Sequence, residues 1–286
     1  MKVDGSAALS SDLALQRSRG RALLRVEARG GACALVERYC CAPLRILTPR
    51  PANGVPEAVI ANLAGGIAGG DQCEIGIAVG PGAEAVLSSQ AAEKVYRAID
   101  APAAWLTRLT LGPGATLEWL PQETILFDGA RLGRRIEVNM AGDARLLAVE
   151  TLVFGRAAHG ERMRSGDLAD RWQIDRDGRP VWRDALHIQC DAFEAAAAAQ
   201  AGLRGARVSA TLIYAAPDAP KRLEELRCLL ADMSAFTGAT AVRGLVAARF
   251  LAREGGAFKR ELAGLLGAFR ASVFDRPVLA PRVWLC

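Results

Sequence analysis

Apolar and polar residues alternate with a period of two along most of the first two thirds of the chain. The alternation is clearest in segments 73–79, 136–140 and 172–175, where every second residue is apolar. Because successive side chains of a strand point to opposite faces of a sheet, this pattern predicts strands that bury one face. Glycine and proline interrupt the pattern about every ten residues, which indicates an all-β sandwich, barrel or solenoid.

A repeated segment favours the solenoid among these three architectures. Residues 79–87 (VGPGAEAVL), 111–119 (LGPGATLEW) and 140–148 (MAGDARLLA) each read as a strand, a glycine-containing turn and a second strand. The copies begin 32 and 29 residues apart, a spacing typical of units that stack and bury one another's apolar faces. The competing interpretation is that G-P-G-A is simply a common hairpin turn.

Polar residues fall at nearly the same position after each of these turns. They are Ser89-Gln90, Pro121-Gln122-Glu123 and Glu150-Thr151. In a stack, equivalent positions lie above one another, and polar side chains among apolar strands must form hydrogen bonds or line a wet passage. The repeat therefore predicts a polar track through the stack.

The last third of the chain is predicted to mix helices and strands. Segments 208–214 and 245–252 read as strands, while segments 220–232 and 257–273 read as helices with one apolar face. We therefore expect a mainly β protein of stacked strands, with a stacked region over 1–191. A small α+β region with two helices is expected over 192–286, packed on the first region as part of one structural unit.

Composition and charge exclude several classes of protein. A hydrophobic fraction of 51% and a charged fraction of 23% rule out a disordered chain. Of the 36 basic residues 32 are arginine, but they are scattered singly near acidic residues, so no nucleic-acid partner is predicted. No apolar run approaches the ~18–20 residues of a membrane helix, and the start lacks a secretory pattern. The seven dispersed cysteines argue against a disulfide framework, so we expect a cytoplasmic protein.

The run Asn62 to Asp71 (NLAGGIAGGD) is rich in glycine and invites comparison with phosphate-binding loops. No G-K-[ST] follows it, and the next segment reads as a strand rather than the helix that would hold an anion. The alternative interpretations are a sharp turn that needs positive φ, or a close approach by another segment or by a buried Asp71.

Motifs of nucleophilic or zinc catalysis are absent from the sequence. The chain has two histidines and contains no G-x-S-x-G, H-E-x-x-H or C-x-x-C motif. A glycosidase needs only two carboxylates, so a carbohydrate-active β-solenoid enzyme stays an alternative. Its candidate carboxylates are Glu123, Asp128, Glu150 and Glu161.

Acidic residues beside strongly apolar strands allow two interpretations. Such carboxylates are either paired with arginines or act as weak, exchangeable oxygen ligands for a divalent cation. Composition does not choose between the two. The acids concerned are Asp71, Glu118, Glu123, Glu150, Glu161 and Asp184.

Three segments carry a family resemblance. They are 64–71 (AGGIAGGD), 88–97 (SSQAAEKVYR) and 117–130 (LEWLPQETILFDGA). Together with FGR at 154–156, GE at 160–161, DRW at 170–172 and PRVW at 281–284, and in the same order, they resemble the UreD (UreH) family of urease accessory proteins. The matching motif residues are Gly65, Gly66, Gly69, Gly70, Gln90, Lys94, Tyr96, Arg97, Glu118, Trp119, Pro121, Gln122, Glu123, Phe127 and Gly129. The departures are Ser88-Ser89 in place of a threonine pair and Ala68 in place of a frequent valine.

This resemblance implies a nickel-insertion chaperone that is not an enzyme and holds no tightly bound cofactor. It implies complexes with the urease apoprotein and with the accessory proteins UreF and UreG, and nickel in transit delivered through UreG and UreE. It also implies an internal nickel passage, to which Asp71, Glu150, Glu161 and Asp184 are assigned by position. The two helices, 220–232 and 257–273, are candidates for part of the face that meets UreF, although packing on the β region explains their apolar stripes equally well.

Overall fold

Strands dominate the computed structural model, which describes residues 17–51, 54–189, 193–278 and 280–284. The helices of these residues are α1 (Phe193–Ala198), α2 (Leu223–Ala231) and α3 (Gly255–Phe274). The strands are β1 (Arg19–Arg29), β2 (Ala32–Cys41), β3 (Leu44–Leu47), β4 (Glu57–Asn62), β5 (Gln72–Val79), β6 (Glu84–Ser89), β7 (Glu93–Val95), β8 (Ala103–Leu111), β9 (Thr116–Leu120), β10 (Thr124–Leu126), β11 (Arg131–Met140), β12 (Arg145–Phe154), β13 (Asp167–Arg176), β14 (Arg179–Gln189), β15 (Val208–Ala215), β16 (Phe236–Val242) and β17 (Leu245–Ala252).

Two sheets face each other across the main core. The first has the order β14-β13-β11-β8-β5-β1-β2, and the second has the order β16-β17-β15-β12-β9-β6-β4-β3. The central strands of both sheets are parallel, while the edge strands β2, β3 and β14 are antiparallel. Short strands β7 and β10 continue a third line of parallel pairing to the end of β12. The prediction of a stacked, solenoid-like β architecture is confirmed.

Each copy of the repeat forms one step of the stack. Its first strand lies in the first sheet and its second strand lies in the second sheet, so the glycine turn joins two sheets and is not a hairpin. Val79, Leu111 and Met140 are direct neighbours in the parallel register of the first sheet. The offsets between the copies of the repeat therefore equal the offsets between paired residues of neighbouring strands. The interpretation of G-P-G-A as a hairpin turn is wrong.

The glycine turns also stack on one another through hydrogen bonds from their backbone amides. The amide of Gly82 donates to the carbonyl of Pro113 at 2.8 Å, and the amide of Gly114 donates to the Asp143 carboxylate at 2.8 Å. Gly82 and Gly114 have φ of 63° and 65°, a backbone region that glycine enters without steric cost. Each turn therefore supplies a hydrogen-bond partner for the preceding one.

Period-two alternation places the core between the two sheets. Ile75 and Ile77 of β5 and Ile136 and Val138 of β11 point inward and are buried. In β12 both faces are buried, because alternate residues contribute to the core between the sheets and to a second core beneath α3. This double burial explains the nearly continuous apolar sequence of that strand.

The C-terminal region extends the second sheet. Strand β15 pairs with β12 in antiparallel register, and β17 and β16 follow. The predicted helix 257–273 is α3, and the predicted helix 220–232 is a 3-10 turn over Ala219–Arg222 followed by α2. None of the described helices is long and apolar enough to cross a membrane.

The apolar face of α3 packs on the second sheet. Its stripe of Phe258, Leu262, Leu265, Phe269 and Val273 is buried in the second core. Leu226 and Leu230 of α2 are buried in the same core. These stripes are explained by packing within the chain, so they do not provide the free apolar face that a partner would need.

Candidate functional site

An interior cavity of about 230 Å³ lies between the two sheets. It is on the side of the solenoid opposite the glycine turns of the 79–87, 111–119 and 140–148 repeat. The first sheet contributes Trp105 and Arg134, and the second contributes Trp119 and Glu150. The polar track predicted from the repeat opens onto this cavity through Ser89, Gln90, Pro121, Gln122 and Glu150. Glu123 and Thr151 were predicted in the same track but line a separate groove, because neighbouring residues of an extended chain point to opposite faces.

Glu150 is held by two donors inside this cavity. The indole Nε1–H of Trp119 donates to Oε1 at 2.9 Å, and Nη1 of Arg134 donates to Oε2 at 2.6 Å. The same guanidinium forms a two-point ion pair with Asp170, at 2.9 Å and 2.8 Å. Two carboxylates therefore share one cation, and the buried group holds one more acid than base.

This shared cation determines the acidity of Glu150. Burial raises its pKa above the ordinary range, and the Arg134 charge and the Trp119 hydrogen bond oppose that rise, while the neighbouring charge of Asp170 adds to it. Burial alone would lower the pKa of Arg134, but the charges of Asp170 and Glu150 raise it above the ordinary range, so the guanidinium stays protonated. The trio is a built electrostatic site rather than a set of surface charges.

Glu93 is a second carboxylate of the cavity, and the sequence reasoning missed it. Its Oε1 accepts a hydrogen bond from Nδ2 of Asn62 at 3.0 Å. Burial raises the pKa of Glu93 to about 7. Glu93 is the register partner of Thr124 in the third line of strands, at an offset of 31 residues. The repeat has an offset of 32 residues at this step, so the aligned copies do not reveal this pairing.

Replacing Glu93 with glutamine is expected to stabilise the chain near pH 8 by about 2 kcal/mol. The pKa of Glu93 is higher in the folded chain than in the unfolded chain, so the folded state binds more protons between about pH 4.5 and 7. Its stability therefore falls as the pH rises through that window. Glutamine resembles the protonated acid and keeps an oxygen for Asn62, so the two proteins should be equally stable near pH 5.

Urea denaturation at both pH values measures this difference. The exposed Glu37→Gln variant is the control and should show no change that depends on pH. A Glu93→Gln protein that is no more stable than the parent near pH 8 would contradict the assignment of a partly buried carboxylate with a raised pKa.

The glycine-rich run is a tight turn pressed against the next step of the stack. Gly65 and Gly70 have φ of 74° and 82°. A Cβ on Gly66 would lie 2.5 Å from the Tyr96 ring, and one on Gly69 would lie 2.6 Å from Cβ of Ala98. The interpretation as a sharp turn with close approach is confirmed.

Asp71 stabilises this turn from within. One carboxylate oxygen accepts the amide of Ser18 at 2.8 Å, and the other accepts the amide of Ala68 at 2.8 Å. The side chain is only 6% exposed. Its described contacts thus join the glycine turn to the start of β1.

The aromatic motif residues pack beside the glycine-rich run, on the same side of the solenoid. The hydroxyl of Tyr96 donates to the Gly65 carbonyl at 2.9 Å, and its ring meets the Phe127 ring edge-on with centroids 5.2 Å apart. The Arg156 guanidinium lies over Phe127, 4.1 Å from the ring centre. The Arg97 side chain packs against Gly129, where a Cβ would lie 2.7 Å from Nε. These residues join successive turns of the solenoid.

The block 117–130 also anchors the C-terminal region. Glu118 is fully buried and pairs with both Arg270 and Arg276. Gln122 donates from Nε2 to the carbonyl of Val283 at 2.7 Å, and Trp284 donates to the carbonyl of Leu120 at 2.9 Å. Lys259 of α3 lies 3.6 Å from Glu123. The interpretation of Glu118 and Glu123 as paired acids is therefore the one that the contacts favour.

Of the four positions assigned to a nickel passage, Glu150 lines the cavity. Glu161 forms a two-point ion pair with Arg156 at 2.8 Å and 3.0 Å, and Asp184 pairs with Arg249 at 2.6 Å. Both carboxylate oxygens of Asp71 accept backbone amides at the glycine-rich turn and the start of β1. The structure does not gather the four together, and no group of three or more His, Cys, Asp or Glu side chains among the described residues could hold a metal ion.

The carboxylates considered for a glycosidase are likewise engaged separately. Asp128 accepts the amides of Arg164 and Ser165 at 2.8 Å and 3.0 Å, and these hydrogen bonds keep its pKa below the ordinary range against the effect of burial. Glu123, Glu150 and Glu161 each face a basic side chain. This arrangement does not favour the carbohydrate-active alternative.

Comparison with known proteins identifies the family. Residues 18–285 match the family model described as UreD urease accessory protein. The chain is 43% identical over 276 residues to the urease accessory protein UreD of Methylobacterium sp. (strain 4-46), covering 94% of this chain and 95% of the relative. It is also 43% identical over 283 residues to the UreD protein of Xanthobacter autotrophicus, covering 99% of this chain and 95% of the relative. It is 40% identical over 269 residues to the UreD protein of Azorhizobium caulinodans, covering 94% of this chain and 97% of the relative. The resemblance inferred from the motifs is confirmed, and the chain belongs to the UreD family of urease accessory proteins.

Proposed function

We propose that the chain supports the functional incorporation of nickel into urease. It acts as a scaffold that binds the urease apoprotein together with UreF and UreG, and it accepts nickel that UreG delivers after supply by UreE. Nickel is cargo in this scheme, and no tightly bound cofactor is required. Family membership makes the chain a urease accessory protein and not itself an enzyme.

The observation that carries this proposal is the interior cavity with its two carboxylates, one buried and one partly buried. Glu93 and Glu150 both line it, and Glu150 belongs to a group in which one cation serves two acids. Once ionised, a carboxylate in a low-dielectric interior attracts a divalent cation more strongly than the same charge does in water. The cavity is thus suited to draw nickel into the protein.

The cavity shares its walls with grooves on two parts of the surface. Trp105 and Arg134 line both the cavity and an outer groove on the first sheet. Lys94 lines both the cavity and a groove beside α3. The wall shared at Trp105 and Arg134 supports a route between the outer face of the first sheet and the cavity, whereas the cationic Lys94 separates the cavity from the groove beside α3.

The donor set favours transit over storage. The described lining offers carboxylates and amides but neither histidine nor cysteine. The nearby Cys73 thiol is not a competing ligand, because burial and the Glu93 charge raise its pKa to about 12. Oxygen ligands bind nickel more weakly than thiolates and imidazoles do, so the ion can leave again. A nickel role for Asp71, Glu161 and Asp184 stays a prediction.

Co-expression of urease with its other accessory proteins, with and without this chain, tests the proposal. We expect urease made without the chain to contain little nickel and to hydrolyse little urea, and both quantities should recover when the chain is restored. Affinity purification of the tagged chain should also recover UreF, UreG and urease together. Full nickel content without the chain would overturn the proposal.

A further inference from the structure

A second concavity, of about 580 Å³, lies on the outer face of the second sheet beside the first turn of α3. Its floor includes Phe127, Val153 and Trp284, and one wall is formed by Gly255 and Gly256. It is separate from the interior cavity except at Lys94. We refer to it as the α3 groove.

The α3 groove carries an excess of positive charge. Five basic side chains line it against two acidic ones, Glu123 and Glu254. Arg156 and Lys259 lie near acids. The remaining three have no ion-pair partner within 4.0 Å among the described residues; they are Lys94, Arg207 and Arg253. These free cations predict a ligand that brings negative charge.

The N-terminus of α3 adds to the positive charge of the groove. The helix is 20 residues long, and its N-cap residue Glu254 forms no side-chain capping hydrogen bond. The first amides of a helix have no partner within the helix and carry a partial positive charge. Gly255 and Gly256 place these amides along the groove without a side chain to cover them.

Thr151 supplies an independent observation that points to a ligand. Its residue lines the α3 groove, it is only 6% exposed, and its Oγ1 has no hydrogen-bond partner among the described residues. An unsatisfied buried hydroxyl is costly, and its retention usually reflects a missing partner. The hydroxyl oxygen is shielded from solvent, so a ligand with acceptor oxygens completes this hydrogen bond by displacing the side chains that cover it.

We propose that the α3 groove binds an acidic peptide segment of a partner protein, with a carboxylate directed to the start of α3. Charge complementarity selects the carboxylates, and the apolar floor of Phe127, Val153 and Trp284 selects a segment that also carries apolar side chains. A bare inorganic anion would leave this floor uncovered. The inference does not rest on the nickel proposal, and its test uses neither urease nor nickel.

Fluorescence anisotropy with the full chain tests the site. The probe is a short fluorescein-labelled peptide of alternating glutamate and leucine, and a lysine–leucine peptide of equal length is the comparison. We expect the acidic peptide to bind, with an affinity that falls as salt rises, and the basic peptide not to bind. Binding of both peptides, or of neither, would overturn the proposal.

Variants locate the binding within the groove. The double change Arg207→Gln and Arg253→Gln should weaken binding about tenfold, and the near-isosteric Thr151→Val should weaken it about fivefold. The matched controls are Arg38→Gln with Arg179→Gln, and Thr110→Val, all at exposed positions outside the groove. Circular dichroism and thermal unfolding verify that each variant is folded. Equal affinities for the parent and the groove variants would contradict the assignment.

Inorganic phosphate distinguishes a peptide site from a simple anion site. Phosphate should displace the labelled peptide only at concentrations far above those at which the unlabelled peptide does so. Displacement at equal concentrations would overturn the assignment to a peptide.

Discussion

Replacing Arg134 with methionine is expected to lower the free energy of unfolding by about 3–5 kcal/mol. Arg134 is 5% exposed and is the cation shared by Glu150 and Asp170. Methionine fills a similar volume but leaves two buried carboxylates without a counter-charge. Urea denaturation near pH 7.5, followed by tryptophan fluorescence, measures the loss.

The loss should shrink as the pH falls, because the stranded carboxylates take up protons and lose their charge. A triple variant with Arg134→Met, Glu150→Gln and Asp170→Asn removes all three charges together. It should recover more than half of the lost stability, since replacing a whole buried ionic group costs far less than breaking it. An Arg134→Met protein as stable as the parent at both pH values would contradict the electrostatic description of the cavity.

Patterns local in the sequence predicted the fold well. The period-two segments and the repeat at 79, 111 and 140 are properties of neighbouring residues, and in the structure they are the inward faces and the register of the stack. The apolar stripe of α3 was likewise visible from its spacing. The surface against which this stripe packs could not be predicted, because packing within the chain and binding to a partner both require the same apolar residues.

The candidate site was predicted only in outline. The aligned copies brought Gln90, Gln122 and Glu150 to one cavity, but the partners of the acids come from distant parts of the chain. Glu118 pairs with Arg270, 152 residues away, and Glu150 pairs with Arg134 on the opposite sheet. With 32 arginines in the chain, composition could not show which one lies beside a given carboxylate.

The second large effect is expected in nickel delivery. The double variant Glu93→Gln and Glu150→Gln should lower the nickel content of urease several-fold, because it removes both carboxylates that the cavity lining offers to a cation. The fold should survive, because Arg134 retains its two-point pair with Asp170. Glutamine at position 150 keeps one oxygen, which can accept from Arg134, so the substitution costs the hydrogen bond from Trp119.

A matched control separates the cavity from a general effect of charge. Glu37→Gln with Glu224→Gln also replaces two carboxylates, at side chains that are 55% and 77% exposed. This pair should leave nickel content unchanged. Both double variants should copurify with UreF, UreG and urease in the same yield as the parent chain. Equal yields would show that a nickel deficit comes from impaired nickel delivery and not from a failure to assemble the complex.

The most direct test of a nickel route through the interior is therefore the nickel content per urease active site, measured by mass spectrometry. Urease is purified from cells that co-express the accessory proteins with the parent chain, the cavity variant or the surface control. Our account predicts a several-fold deficit with the cavity variant alone, at equal yield of the accessory complex. Equal nickel content with all three chains would contradict it.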